Sequence, residues 1–228
     1  FHTCGLRSDS SLVCWGYDAD GRTDVPGGWS YTQVSAKGDH TCGLRSDGSL
    51  DCWGSNDDGQ TDVPALPTGL SYTQASAGRF HTCGLRSDGS LVCWGWNDSG
   101  QTVVPDLPAG VSYTQVSCGD LHTCGLRSDG SLICWGWNDH SQTAVPALPT
   151  GVSYTQVSAG YYHTCGLRSD DALVCWGDNG DGQTDVPGLP VRLSYAQVSA
   201  GGWHTCGLRS DGSLVCWGRN DDGQTNLP

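Results

Sequence analysis

The sequence predicts an all-β protein, a six-bladed β-propeller. Three observations carry that expectation. One unit recurs six times along the 228 residues, and its later copies are spaced by 41. Within each unit, short apolar stretches alternate with Gly-rich turns, and no helical period appears. The composition also disfavours helix: there are 34 Gly and no Met, and all 24 acidic residues are Asp.

The repeat is marked by His-Thr-Cys-Gly-Leu-Arg-Ser-Asp, which starts at His2, His40, His81, His122, His163 and His204. A second signature, Cys-Trp-Gly, follows at Cys14, Cys52, Cys93, Cys134, Cys175 and Cys216. Three stretches of each unit read as strands. Tyr72-Thr73-Gln74-Ala75-Ser76 alternates and runs toward a Gly that breaks it. Thr82 to Arg86 and Ser90 to Trp94 flank Ser87-Asp88-Gly89, a three-residue hairpin loop with Gly at the left-handed position. Asn97-Asp98-Ser99-Gly100 is a turn, and Gln101 to Val104 is expected to form a short fourth strand before Pro105. A unit of this size cannot bury both faces of its own sheet. Radial stacking of six such sheets buries them, which is the propeller arrangement.

The pattern Ala77-Gly78-x-x-His81-Thr82-x-x-Leu85-x-x-Asp88-Gly89-x-Leu91-x-x-Trp94-Gly95-x-Asn97-x-x-Gly100-Gln101 resembles the repeat of the regulator of chromosome condensation family. The chain looks like a secreted, bacterial-style, cysteine-containing variant of it. The resemblance implies a β-propeller, usually of seven blades in that family. It leaves function open, because relatives include a nucleotide-exchange factor, light receptors and an inhibitor of β-lactamases. Exchange on a small GTPase belongs to a cytosolic or nuclear setting that does not suit this chain.

A single propeller domain is expected over residues 1–228, with repeats at about 1–29, 30–70, 71–111, 112–152, 153–193 and 194–228. The counts of its parts disagree. There are six hairpins but five copies of the preceding strand, at Tyr31, Tyr72, Tyr113, Tyr154 and Tyr195. One blade is therefore expected to lack a strand within this chain, and Phe1, His2 and Thr3 mark its open edge.

Twelve of the 13 cysteines form pairs one hairpin apart. With the loop at Ser8-Asp9-Ser10, Arg7 faces Ser11, Leu6 faces Leu12, and Cys4 faces Cys14 within disulfide reach. Six intra-blade disulfides follow: Cys4–Cys14, Cys42–Cys52, Cys83–Cys93, Cys124–Cys134, Cys165–Cys175 and Cys206–Cys216. Such a set persists outside the reducing cytosol, so a secreted, extracellular location is expected. Cys118 is left over, in a slot filled elsewhere by Ala77, Ala159 and Ala200, and reads as a buried free thiol.

No cofactor is expected. Zinc finds His81, Cys83 and Cys93 but no fourth ligand and no CxxC or HxxxH spacing. Calcium is the one ion with plentiful oxygen ligands, in turns such as Asp18-Ala19-Asp20-Gly21 and Asn56-Asp57-Asp58-Gly59. Those turns lack the later bidentate Glu, and Asn, Asp and Gly also build ordinary turns. There is no Gly-x-Ser-x-Gly elbow, and every His except His140 occupies the repeated slot, so an enzyme is not expected.

A net charge of −13 argues against nucleic acid, which needs clustered Lys and Arg. No apolar run approaches the ~20 residues that span a bilayer. Individuality resides in two variable slots. The residue after Cys-Trp-Gly is Tyr17, Ser55, Trp96, Trp137, Asp178 or Arg219, and the residue before the repeated His is Phe1, Asp39, Phe80, Leu121, Tyr162 or Trp203. Tyr17, Trp96, Trp137, Phe80, Tyr162 and Trp203 are the expected ligand-binding residues, able to stack on sugars or anchor a protein. The functional expectation is a secreted, disulfide-stabilised structural and interaction protein that polymerises into a filament or surface layer, a neighbouring chain completing the open blade. The alternative is a lectin-like or inhibitor-type protein-binding propeller using aromatic residues of one face.

Overall fold

The structure, a computed structural model, describes residues 2–227. Seventeen strands form six antiparallel sheets arranged as a propeller. The first sheet has two strands, β1 (His2–Leu6) and β2 (Leu12–Gly16). The second holds β3 (Tyr31–Lys37), β4 (His40–Arg45) and β5 (Leu50–Gly54), and the third β6 (Tyr72–Ala77), β7 (His81–Arg86) and β8 (Leu91–Gly95). The fourth holds β9 (Tyr113–Cys118), β10 (His122–Arg127) and β11 (Leu132–Gly136). The fifth comprises β12 (Tyr154–Ala159), β13 (His163–Arg168) and β14 (Leu173–Gly177), and the sixth β15 (Tyr195–Ala200), β16 (His204–Arg209) and β17 (Leu214–Gly218). In each complete sheet the second strand is central, paired to both others. A single 3-10 turn at Ala19–Gly21 is the helical content, and no helix among the described residues is long and apolar enough to cross a membrane.

The expected fourth strand at Gln101 to Val104 does not form; these residues are turn and irregular backbone. The reason is local. Gln101 Oε1 accepts the Ser99 N–H, Asn97 Oδ1 accepts the Thr102 N–H, and Val103 N–H returns to Gly100 O. The segment satisfies its own polar groups and leaves no ladder to offer a neighbour.

The first strands of the complete sheets line the axis. Gln33, Gln74, Gln115 and Gln156 face one another around an axial cavity of about 740 Å³, together with Thr73, Thr114 and Thr155. Side chains lace these strands. Gln74 Oε1 accepts the Val116 N–H and its Nε2 donates to Val116 O, while Ser76 Oγ accepts the Cys118 N–H. Gln33 and Ser35 likewise accept the N–H groups of Ala75 and Ala77, Gln115 and Ser117 those of Val157 and Ala159, and Gln156 and Ser158 those of Val198 and Ala200.

The core lies between sheets. Cys42, Leu44 and Leu50 of the second sheet pack on Tyr72, Ala75 and Trp94 of the third, and the pattern repeats around the ring. Within a sheet, the tyrosine that opens the first strand lies on the glycine of the central one. A Cβ on Gly125 would stand 2.6 Å from the Tyr113 ring, so only glycine leaves room for it.

Six disulfides pair Cys4 with Cys14, Cys42 with Cys52, Cys83 with Cys93, Cys124 with Cys134, Cys165 with Cys175 and Cys206 with Cys216. Each joins directly opposed residues whose Cα atoms are 4.0–4.1 Å apart. Closing so short a loop contributes roughly 2–3 kcal/mol per bridge in the chain-entropy view.

Histidines join one sheet to the next. His81 Nε2 lies 2.9 Å from Thr123 Oγ1, and the Thr123 hydroxyl in turn donates to Gln101 O at 2.9 Å. Because the hydroxyl proton is committed to that carbonyl, the histidine must be the donor, neutral and protonated on Nε2. His2–Thr41, His40–Thr82, His122–Thr164 and His163–Thr205 repeat the contact. Burial holds His40 down to about 4 and His81 and His163 down to about 3, and pushes His122 well below its usual 6.5.

These depressed values fix the pH dependence. The unfolded chain binds the protons more readily, so the histidine contribution is full above 6.5 and is lost as pH falls toward 4 and then 3. The thermal midpoint should therefore drop progressively as pH is lowered from 6.5 to 4. A flat midpoint across that window would contradict neutral, buried histidines.

Candidate functional site

Two sets of loops emerge on one face of the ring, the turn before each central strand and the turn after each outer strand. They meet because the residue after Cys-Trp-Gly donates its N–H to the residue before the repeated His, as Trp96 N does to Phe80 O and Trp137 N to Leu121 O. Both variable slots are thereby placed side by side, and the aromatic residues in them gather.

Trp137 and Tyr162, from the fourth and fifth sheets, meet with ring centroids 5.1 Å apart. His140 lies 5.1 Å from Trp137 and stacks on Tyr162 at 5.5 Å. Tyr161 continues the run, 6.4 Å from Tyr162 and 5.0 Å from Trp203. Phe80 and Trp96 form a separate pair at 5.9 Å on the third sheet. All these aromatic rings except His140 are half-buried; His140 is exposed. Tyr17 stands apart, 63% exposed, with the Arg22 guanidinium 5.2 Å from its ring centre. Phe1 lies outside the described residues.

Charged groups border the aromatic run. Asp120 is 1% exposed, receives Arg79 at 3.5 Å, and has one carboxylate oxygen without a partner among the described residues. Burial pushes its carboxyl above the usual range, with Arg79 opposing. Arg79 also lies over Phe80 at 4.8 Å, and Arg219 over Trp203 at 5.2 Å. Lys37 reaches across the axis. Its Nζ donates to Cys118 O at 2.9 Å, Ala159 O at 2.7 Å and Gly160 O at 3.3 Å, and lies 6.0 Å from the Tyr161 ring. Burial of this ammonium lowers it to about 8.

Tyr161, His140, Asp120, Arg79 and Lys37 were not among the residues expected from sequence. Two of them carried a signal: Lys37 is the single lysine, and His140 is the single histidine outside the repeated slot.

The metal expectations meet clear chemistry. Among the described residues, one group of metal-capable side chains comes together, His81, Cys83 and Cys118. Cys83 is bonded to Cys93, and burial raises the Cys118 thiol to about 11, so the group offers no thiolate to zinc. In the Asp- and Asn-rich turns, Asn56, Asn179 and Asn220 each accept the N–H of a threonine five residues on, and Asp18 does likewise with Thr23. Those oxygens are already engaged in shaping the turn.

At the other functional expectation, the open blade, β1 pairs with β2 alone. The first and sixth sheets face each other across a cleft of about 890 Å³, lined by His2, Thr3 and Cys4 on one wall and by Ser199, His204 and Gln224 on the other. Trp15 is 54% exposed and Leu214 44% exposed here, whereas Trp53, Trp94, Trp176 and Trp217, like Leu50 and Leu173, are buried.

Three-stranded sheets laced through His–Thr contacts and closed by one disulfide per hairpin define a repeat propeller. The chain belongs to the regulator of chromosome condensation (RCC1) repeat family, whose model matches residues 31–60, 72–101, 113–142, 154–183 and 195–224. Among solved structures, it is similar to the CRINKLY WD40 ectodomain of the Arabidopsis thaliana receptor kinase ACR4. They are 29% identical with a TM-score of 0.75, over 95% of this chain and 80% of that one. It is also similar to the entire ectodomain of the Physcomitrella patens receptor kinase CR4, at 28% identity and a TM-score of 0.71, over 95% of this chain and 59% of that one. Prp20p from Saccharomyces cerevisiae shares the fold, at 22% identity and a TM-score of 0.75, over 87% of this chain and 59% of that one. No curated protein sequence matches the chain.

Cys118 gives this site a direct check. Its thiol is 2% exposed and burial holds its pKa near 11, so thiol-reactive dyes should label no cysteine of the non-reduced native chain. In denaturant without reductant, one thiol per chain should react, because the other twelve cysteines are paired. Rapid labelling of the native chain would contradict the buried placement.

Proposed function

We propose that the chain is an extracellular protein-interaction propeller, one ring domain of six repeats, that recognises a protein partner through its aromatic face. The observation that carries this reading is the continuous run Trp137–His140–Tyr162–Tyr161–Trp203, bordered by Arg79, Asp120 and Arg219. Half-buried aromatic rings beside arginine are the composition of interface anchors. The six disulfides support an oxidising compartment, and the similarity to two receptor-kinase ectodomains supports a role outside the cell.

The non-reduced chain, displayed against an array of secreted extracellular domains and against a glycan array, tests the reading. A protein hit should weaken by about thirtyfold or more in a Trp137→Ala, Tyr162→Ala variant, the size of a hot-spot loss. The thermal midpoint of that variant should stay near that of the parent chain. Hits on glycans alone would favour the lectin-like alternative and overturn the protein reading.

A second reading, assembly of copies into a filament or surface layer, is favoured by the open edge of β1. An unpaired strand edge can pair with the outer strand of another molecule, and such head-to-tail contacts build an open filament where their rotation does not close a ring. Sizing chromatography with negative-stain electron microscopy of non-reduced material decides it. Rods or filaments are the expected result of this reading, and discrete single rings would overturn it.

A further inference from the structure

We propose that the cleft between the first and sixth sheets is a strand-binding site. Its occupant is an extended segment bearing the inner-strand pattern of this chain, Tyr-x-Gln-(Val or Ala)-Ser-(Ala or Cys), contributed by a polypeptide outside the five strands that already carry it. The inference is independent of the aromatic face.

The five complete sheets show what such a strand does. It pairs with the central strand in one register, for example Gln156 opposite Leu167, Val157 opposite Gly166, Ser158 opposite Cys165 and Ala159 opposite Thr164. Its tyrosine fills the space above the central glycine, with the ring 2.5–2.8 Å from where a Cβ would stand on Gly43, Gly84, Gly125, Gly166 or Gly207. Its N–H groups donate to a Gln and a Ser of the preceding sheet, and its own Gln and Ser receive the N–H groups of the following one.

Every one of those contacts has an unused counterpart at the cleft. The ladder edge of β1 is unpaired. Among the described residues, a Cβ on Gly5 would meet only Trp15, at 3.7 Å, so the space a tyrosine fills in the other sheets is open there. Gln197 and Ser199 of β15, the counterparts of Gln156 and Ser158, accept no backbone N–H among the described residues. Val34 and Ala36 of β3, whose counterparts Ala75 and Ala77 donate to Gln33 and Ser35, line the opposite wall. Across the same gap, His204 and Thr3 do not make the bond that joins the sheets elsewhere, and the Trp15 indole N–H does not reach Gln224 O as its counterparts reach Gln60 O and Gln101 O.

One added inner strand meets the β1 edge, the space over Gly5, Gln197 and Ser199, and Val34 and Ala36 together. By the register of the other sheets, its Tyr would cover Gly5, its Gln would face Leu6 and reach Val34, and its Ser would face Cys4 and reach Ala36. This is recognition by β-strand addition, in which the backbone supplies affinity and alternate side chains supply specificity. A second folded copy is a poor donor, since its five strands of this pattern are each held in a sheet of their own.

The test uses a fluorescein-labelled peptide of residues 151–160, Gly-Val-Ser-Tyr-Thr-Gln-Val-Ser-Ala-Gly, titrated into the non-reduced chain with anisotropy as the readout. Saturable one-to-one binding is expected, with a rise in thermal midpoint as peptide is added and a blue shift of tryptophan emission as Trp15 is covered. The same peptide carrying Tyr154→Ala and Gln156→Ala should bind at least about tenfold more weakly. Gly5→Val in the protein should abolish binding while leaving the free chain folded, because among the described residues only Trp15 lies near that position. Equal binding of the altered peptide, unaltered binding to Gly5→Val, or no binding at all would overturn the proposal. Concentration-dependent self-association that peptide cannot reverse would also overturn it and assign the edge to a second copy.

Discussion

One carbonyl oxygen in each of the first five repeats ties its sheet to the next. Gln60 O, Gln101 O, Gln142 O and Gln183 O each accept two bonds from the following sheet, one from a threonine hydroxyl and one from a tryptophan indole N–H. Arg22 O does the same with Thr41 and Trp53. The spacer that carries this carbonyl has no regular ladder, so its backbone would otherwise be buried unsatisfied. Anchoring it places the tryptophan over the preceding sheet, and the threonine, its proton committed, becomes the acceptor for the histidine. Loss of any member would leave buried polar groups without partners, which costs more than the bond itself contributes.

This division of labour explains where function can reside. The repeated His, Thr, Cys, Gly, Trp and Gln are consumed by the lattice of contacts between and within sheets. The loops of one face are held at their bases by backbone bonds, so their side chains vary without disturbing the ring. Asp120 and Lys37 depart most from scaffold behaviour. A nearly inaccessible carboxylate with a free oxygen and an ammonium held by three carbonyls charge the face from beneath. The cleft is a different kind of feature, since it is made of scaffold groups whose partners elsewhere in the ring show what would satisfy them.

The fold was legible because its determinants are local and repeated. The alternation of Tyr72 to Ala77, the Gly at position 89 and the constant cysteine spacing each act over a few residues, and six copies make the reading redundant. The fourth strand was misread because Gln101 looks like a strand residue in sequence, yet its side chain folds back onto Ser99 N–H. The aromatic slots were legible in part. Trp137 and Tyr162 were identifiable as variable positions, but that they share one surface with His140 and Tyr161 depends on how adjacent sheets are set.

The sequence by itself determined the repeat, the strand order within each unit, and the pairing of twelve cysteines across hairpins. The repeat is read from six in-register copies, and the cysteine pairing depends on a spacing of ten residues, where hairpin geometry leaves one arrangement. Only the tertiary structure decided which groups from distant repeats meet. Lys37 bonds the carbonyl of Ala159, 122 positions away, and Thr3 and His204 line one cleft, because the angle between stacked sheets curves the chain into a ring. That angle is set by side-chain packing between sheets, a sum of many small contacts that no single motif encodes.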